Sequence, residues 1–149
     1  MRLQVFAAGI LALGGLILIG MGFYFGFLRP PLLPEDLRYM HVSAVQLRDA
    51  APGLGPWLSR VFGVLGGFMA ACGLLTVYVA ATGFRTGERG AMTVIAVSGV
   101  VSIGAMAVIN FLIDSDFKLV LLTVSLLWGV ALAISWAGAL HSRRTVPPS

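Results

Sequence analysis

The chain has 149 residues, 58% of them hydrophobic and 11% charged, with a mean hydropathy of +0.96. An average soluble domain carries about 25% charged residues, so this composition excludes an ordinary water-soluble fold. The net charge of +4 and the pI near 10.0 do not indicate nucleic acid, because the ten basic residues are spread thinly beside apolar runs, where they serve as topology signals and headgroup anchors.

The charges sit at intervals that fit a bilayer. Arg2 to Arg29 encloses 26 uncharged residues, and Arg60 to Arg85, Arg89 to Asp114 and Lys118 to Arg143 enclose 24 each. About 20 apolar residues cross a hydrocarbon core of roughly 30 Å, so the predicted fold is an all-α membrane protein: one four-helix transmembrane bundle with spans over 3–28, 57–84, 91–113 and 117–140. The first run is too long for the apolar core of a secretory signal and ends without a small-x-small cleavage site, which predicts a retained helix. Its far end holds Phe23, Tyr24, Phe25 and Phe27, an aromatic cluster suited to the headgroup level.

Residues 30–56 form the only long polar segment. Pro30, Pro31 and Pro34 stop the first helix, and Glu35 and Asp36 after Pro34 place acids in the first turn of a new one. Ser43 with Gln46 three residues on is a capping box opening Ala44–Ala50. Pro52, Gly53, Gly55 and Pro56 then close it. The segment is therefore predicted as a cap of two short helices, with Leu37, Met40, Val45 and Leu47 supplying apolar surface toward the membrane or the bundle mouth.

Small residues predict where helices meet. Gly22 and Gly26 form a GxxxG pair in the first span; Gly63, Gly67 and Ala71 recur every four residues in the second; Ser125, Gly129, Ala133 and Ala137 do so in the fourth. In the third span Ser98, Ser102, Met106 and Asn110 draw a mildly polar line, which suits interhelical hydrogen bonds or, in a multi-copy pore, a lining. The tail, 141–149, is read as disordered. With a cytoplasmic N-terminus the basic residues divide evenly between the two sides. Those on the N-terminal side are packed into very short segments beside span ends, which favours both termini in the cytoplasm of a bacterial inner membrane and the cap outside.

The chemistry is sparse. No charged residue lies in mid-span, which argues against a proton relay or charged-substrate pathway. Cys72 is the only cysteine, and His41 and His141 fall on opposite sides of the predicted membrane, so no disulfide, CxxC pair, metal site or in-membrane haem is expected. Asp114 and Asp116 alone make a weak cation site. The cap gathers Glu35, Asp36, Arg38, Tyr39, His41, Arg48 and Asp49. A carboxylate beside a histidine suits acid–base work and Arg38 or Arg48 a phosphate, yet the same residues suit capping and ion pairs on short helices. Asp36, Arg38, Tyr39, His41 and Arg48 are the candidate headgroup- or ligand-binding residues, with no catalytic residue assigned and no cofactor expected.

The segment Leu33-Pro-Glu-Asp-Leu-Arg-Tyr-Met40, followed by the cap helix and Val61-Phe-Gly-Val-Leu-Gly-Gly-Phe-Met69, resembles small uncharacterised bacterial four-span inner-membrane proteins that are DoxX-like in overall plan. The resemblance implies the architecture and brings no catalytic residue. The function expected is an accessory or assembly subunit acting through helix and lipid contacts, its partners being membrane lipids and other membrane subunits or a second copy. The alternatives are an interfacial lipid- or quinone-binding protein or enzyme using the cap, and a homo-oligomeric channel or exporter for a small neutral solute.

Overall fold

In a computed structural model residues 2–144 are described, with side chains described as far as Gly138. All regular structure among them is helical: α1 (Arg2–Leu28), α2 (Pro34–Met40), α3 (Ala44–Ala50), α4 (Leu54–Phe84), α5 (Arg89–Leu112) and α6 (Lys118–Arg144). The long helices α1, α4, α5 and α6 are each apolar and long enough to cross a membrane, and α2 and α3 lie between the first two. Phe68 and Leu112, at 72% and 73% exposed, belong to a broad apolar exterior that suits lipid tails and not water. The chain is an integral membrane protein.

The ends of the cap follow local chemistry. The Ser43 hydroxyl accepts the Gln46 N–H at 3.2 Å and the Gln46 side-chain oxygen accepts the Ser43 N–H at 2.9 Å, which closes the expected capping box. Pro56 does not end the cap. Helix α4 begins at Leu54, and Pro56 occupies its first turn, where a missing N–H has no partner to lose. At the other terminus helix α6 continues to Arg144, so the tail expected from 141 is helical backbone for four residues; 145–149 lie outside the described residues.

Helix α1 is the hub. It packs antiparallel along α4 on one side and against α6 on another, whereas α5 packs on α6 and meets α4 only near the tight turn that joins them. The α1–α4 contact is backbone on backbone. A methyl added at Gly22 would stand 2.6 Å from the Gly66 carbonyl oxygen, and one at Gly73 would stand 2.5 Å from the Gly15 carbonyl oxygen. The small residues that make this seam recur every seven positions, Ala8, Gly15 and Gly22 in α1 against Gly66, Gly73 and Ala80 in α4, all buried. Seven residues fall about 20° short of two full turns, so such a repeat stays on one helix face over three pairs. Among the residues expected to pack, Gly22 lies in this seam and Gly26 borders it beside Gly66. Gly63 has open space where a side chain would project, as does Gly67, and Gly67 and Ala71 are exposed on the membrane side.

Two polar side chains tie the remaining helices. Trp128 of α6 is buried, and its indole N–H donates to the Ile95 carbonyl of α5 at 3.1 Å. A methyl on Gly99 would collide with that indole nitrogen, and one on Gly14 of α1 would touch the ring at 3.4 Å. At the tight-turn end the Gln4 amide donates to the Phe84 carbonyl of α4 at 2.7 Å and to the Ser135 hydroxyl of α6 at 2.6 Å. Spans α1, α4 and α5 each include one π turn, at Tyr24–Leu28, Ala80–Phe84 and Val100–Gly104; such turns often mark functional positions.

Because backbone cannot yield as a side chain can, Gly73→Ala and Gly22→Ala are expected to cost about 1–3 kcal/mol, the range for overpacking a tight interior. Gly67→Ala is expected to stay within about 0.5 kcal/mol, as a surface change. Thermal melting of the purified variants in one detergent checks this, and equal losses at Gly67 and Gly73 would contradict the seam.

Candidate functional site

The loose end of α5 creates a space. Toward the cap, α5 leans on α6 and not on α1, and a cavity of about 360 Å³ opens between α1, α5, α6 and the segment Leu33–Asp36. That volume falls within the range of small-molecule sites, about 300–1,000 Å³. Its walls include Ile17 and Met21 of α1, Met106 of α5 and Val120, Leu121 and Val124 of α6. Polar groups gather at the cap: Tyr24, Arg29, Glu35, Asp36, Asn110 and Ser115.

Arg29 emerges directly after the π turn of α1. Its side chain is only 8% exposed. The guanidinium lies over the Phe62 ring of α4, 3.8 Å from the centroid, and 5.5 Å from that of Phe25, an arrangement favoured by cation–π attraction. One nitrogen donates to the Pro30 carbonyl at 2.9 Å and another to Asp36 Oδ2 at 3.1 Å. The same carboxylate oxygen accepts the Leu33 N–H at 2.8 Å, so Asp36 both caps α2 and fixes the arginine.

Glu35, one residue earlier, is 3% exposed. Its Oε1 accepts from the Ser115 hydroxyl at 3.3 Å, long for a hydroxyl–carboxylate bond, which is normally about 2.5–2.7 Å. That hydroxyl also accepts the Phe117 N–H at 3.1 Å. The second carboxylate oxygen of Glu35 has no hydrogen-bond donor among the described residues.

The cap is held on this mouth by polar side chains. Arg38 of α2 donates to Asp116 at 2.9 Å and to the Asp114 carbonyl at 3.4 Å, reaching the turn between α5 and α6. The bond to Asp116 and the negative charge of that carboxylate raise the Arg38 pKa above its ordinary value. Lys118 donates to the Asp114 carboxylate, and this bond, with the lysine charge, lowers the Asp114 pKa from its ordinary 3.8. A carboxyl lowered on folding adds stability above its unfolded value and loses it as the pH falls through the lower folded value. The contribution of this pair is therefore present through the neutral range. Asp114 and Asp116, considered above as a cation site, are each engaged by a basic side chain.

The structure divides the sequence-based candidates. Asp36 lines the cavity, and Arg38 tethers the cap. Tyr39 and Arg48 are exposed and make no side-chain hydrogen bond among the described residues, and His41 is exposed at the left-handed end of α2, φ 55°. The hydroxyls of Ser98 and Ser102 donate to Ile95 and Ser98 carbonyls of their own helix, and the Asn110 amide donates to Met106. Of these three, Asn110 reaches the cavity. Ser125 and Gly129 line a separate open groove of about 620 Å³ between α5 and α6 with Trp128 at its floor, and Ala133 is exposed beyond it.

Residues missed by sequence reasoning are Arg29, which reads as a membrane-flank charge, and Ser115, hidden between two aspartates. Glu35 belongs to the cap cluster but is indistinguishable from Asp36 until the helix face is known. Arg38→Ala is expected to speed amide hydrogen exchange across α2 while leaving exchange in α1 and α4 unchanged, because the exposed pair positions the cap without building the bundle. Unchanged exchange in α2 would show that the tether is dispensable.

No protein family, curated protein or solved structure matches this chain; of the expected resemblance, the four-span plan is what is shown.

Proposed function

We propose that the chain binds a single-chain amphiphile, of the lipid or quinone class, in the cavity beneath the cap. The observation that carries this reading is the cavity's division into a long apolar wall, supplied by three spans, and one polar end, supplied by Arg29, Asp36, Glu35 and Ser115. That division matches a tail and a head. With both termini cytoplasmic, as the basic residues favour, the head would lie at the outer face of the membrane. The proposed role is holding or presenting the ligand.

Gly20 offers a clean test. It lies exposed on the cavity lining, and a methyl added there meets no atom within 4 Å, so Gly20→Phe can occlude the space without disturbing the bundle. A fluorescent single-chain probe is expected to bind the wild-type protein in neutral detergent and to bind Gly20→Phe at least about tenfold more weakly, a difference of about 1.4 kcal/mol, with melting preserved. Equal binding by both proteins would overturn the cavity as the site.

A second reading, an accessory subunit in a larger membrane assembly, is favoured by the unused stripe. Gly63 and Gly67 have open space above them, and Ala71 continues the row on the membrane face, which is the surface a further helix needs for close approach. Cysteine cross-linking from position 67 in native membranes checks it: a defined cross-linked partner supports the reading, and monomer alone counts against it.

A further inference from the structure

The ion pairs around the cavity leave one acidic residue over. Arg29 is paired with Asp36, Arg38 with Asp116 and Lys118 with Asp114. Each pair is neutral, and Glu35 is left over. It is also the most buried of these acids, with a residue exposure of 3%. A largely buried carboxylate calls for several donors; this one has a single long bond from Ser115, and its other oxygen, which is not sealed off, accepts no hydrogen bond among the described residues. Its basic neighbours give it no hydrogen bond: Arg29 is occupied by Pro30, Asp36 and two aromatic faces, and Arg38, near enough to feel the Glu35 charge, donates instead to Asp116 and the Asp114 carbonyl.

From this we infer that the cavity selects an amphiphile whose head is a protonated amine, which donates its N–H groups to Glu35 while the chain runs along Met21, Met106 and Val124. The inference rests on the amphiphile reading above and adds the head-group chemistry to it. An ammonium supplies both the missing donors and the missing positive charge. A carboxylate or phosphate head would face Glu35 with like charge, and to reach the Arg29 guanidinium it would have to displace Asp36, which also caps α2; a site built this way rejects anions by repulsion. A neutral hydroxyl head supplies a donor without the charge and falls between the two.

The test compares dodecylammonium, dodecanol and dodecanoate as competitors of one fluorescent single-chain probe, with the full-length protein in an uncharged detergent at neutral pH. For the wild type, dodecylammonium is expected to compete at least about tenfold better than dodecanoate, with dodecanol between. Glu35→Gln is expected to remove most of the ammonium advantage while changing dodecanol about twofold or less, and Gly20→Phe is expected to weaken all three together. Should Glu35→Gln fail to fold, the wild-type ranking alone decides. Equal competition by the three compounds, or dodecanoate the strongest, with Gly20→Phe still weakening them, overturns the amine inference and leaves the cavity standing. Failure of every compound to displace the probe, or displacement indifferent to Gly20→Phe, overturns the cavity reading itself.

Discussion

The backbones of α1 and α4 touch where Gly15 meets Gly73 and Gly22 meets Gly66, and the rest of the molecule is arranged around that contact. In a bilayer, apolar side chains gain little by leaving lipid for protein, so close backbone approach and buried hydrogen bonds must hold helices together. The seam provides the first. The second comes from Trp128 bonding to Ile95 and Gln4 bonding to Phe84 and Ser135. With α1 committed to α4 on one face and α6 on another, α5 is held by α6 and by the tight-turn end of α4. Toward the cap nothing brings α5 onto α1, and the cavity is the consequence.

The same constraint explains the cap. Helices α2 and α3 bury almost nothing, Glu35 being their one buried residue. They stay in place through Asp36 on Arg29, Arg38 on the turn after α5, and Glu35 on Ser115. These are side-chain contacts to the end of α1 and to the turn between α5 and α6, so the cap reports the relative position of the spans beneath it. A cover fixed by a few polar contacts can part at smaller cost than one fixed by packing, which suits a site whose ligand enters from the membrane or its surface.

Much of this was legible in residues alone, and the failures have physical causes. Charge spacing located four spans, and the Ser43–Gln46 capping box located a cap helix, because both signals are local. The packing face of α4 was not legible. Gly63, Gly67 and Ala71 repeat every four residues, whereas Gly66, Gly73 and Ala80 repeat every seven; adjacent glycines such as Gly66 and Gly67 differ by about 100° around the helix. Lipid and a helix neighbour are both apolar, so hydropathy does not tell which face is turned inward. Gln4 carries no signal in the sequence, yet it bridges three spans. Glu35 and Asp36 are consecutive acids, and one became a satisfied cap while the other was turned into the cavity by the direction in which α2 leaves Pro34.

Holding an amphiphile beneath the cap is the central claim, and native mass spectrometry of protein extracted gently from its own membranes tests it most directly. The account predicts the chain carrying one small organic molecule at near one-to-one stoichiometry, released by harsher detergent and bearing an amine at one end of an aliphatic chain. Recovery of the bare chain mass under conditions that preserve the fold would contradict it.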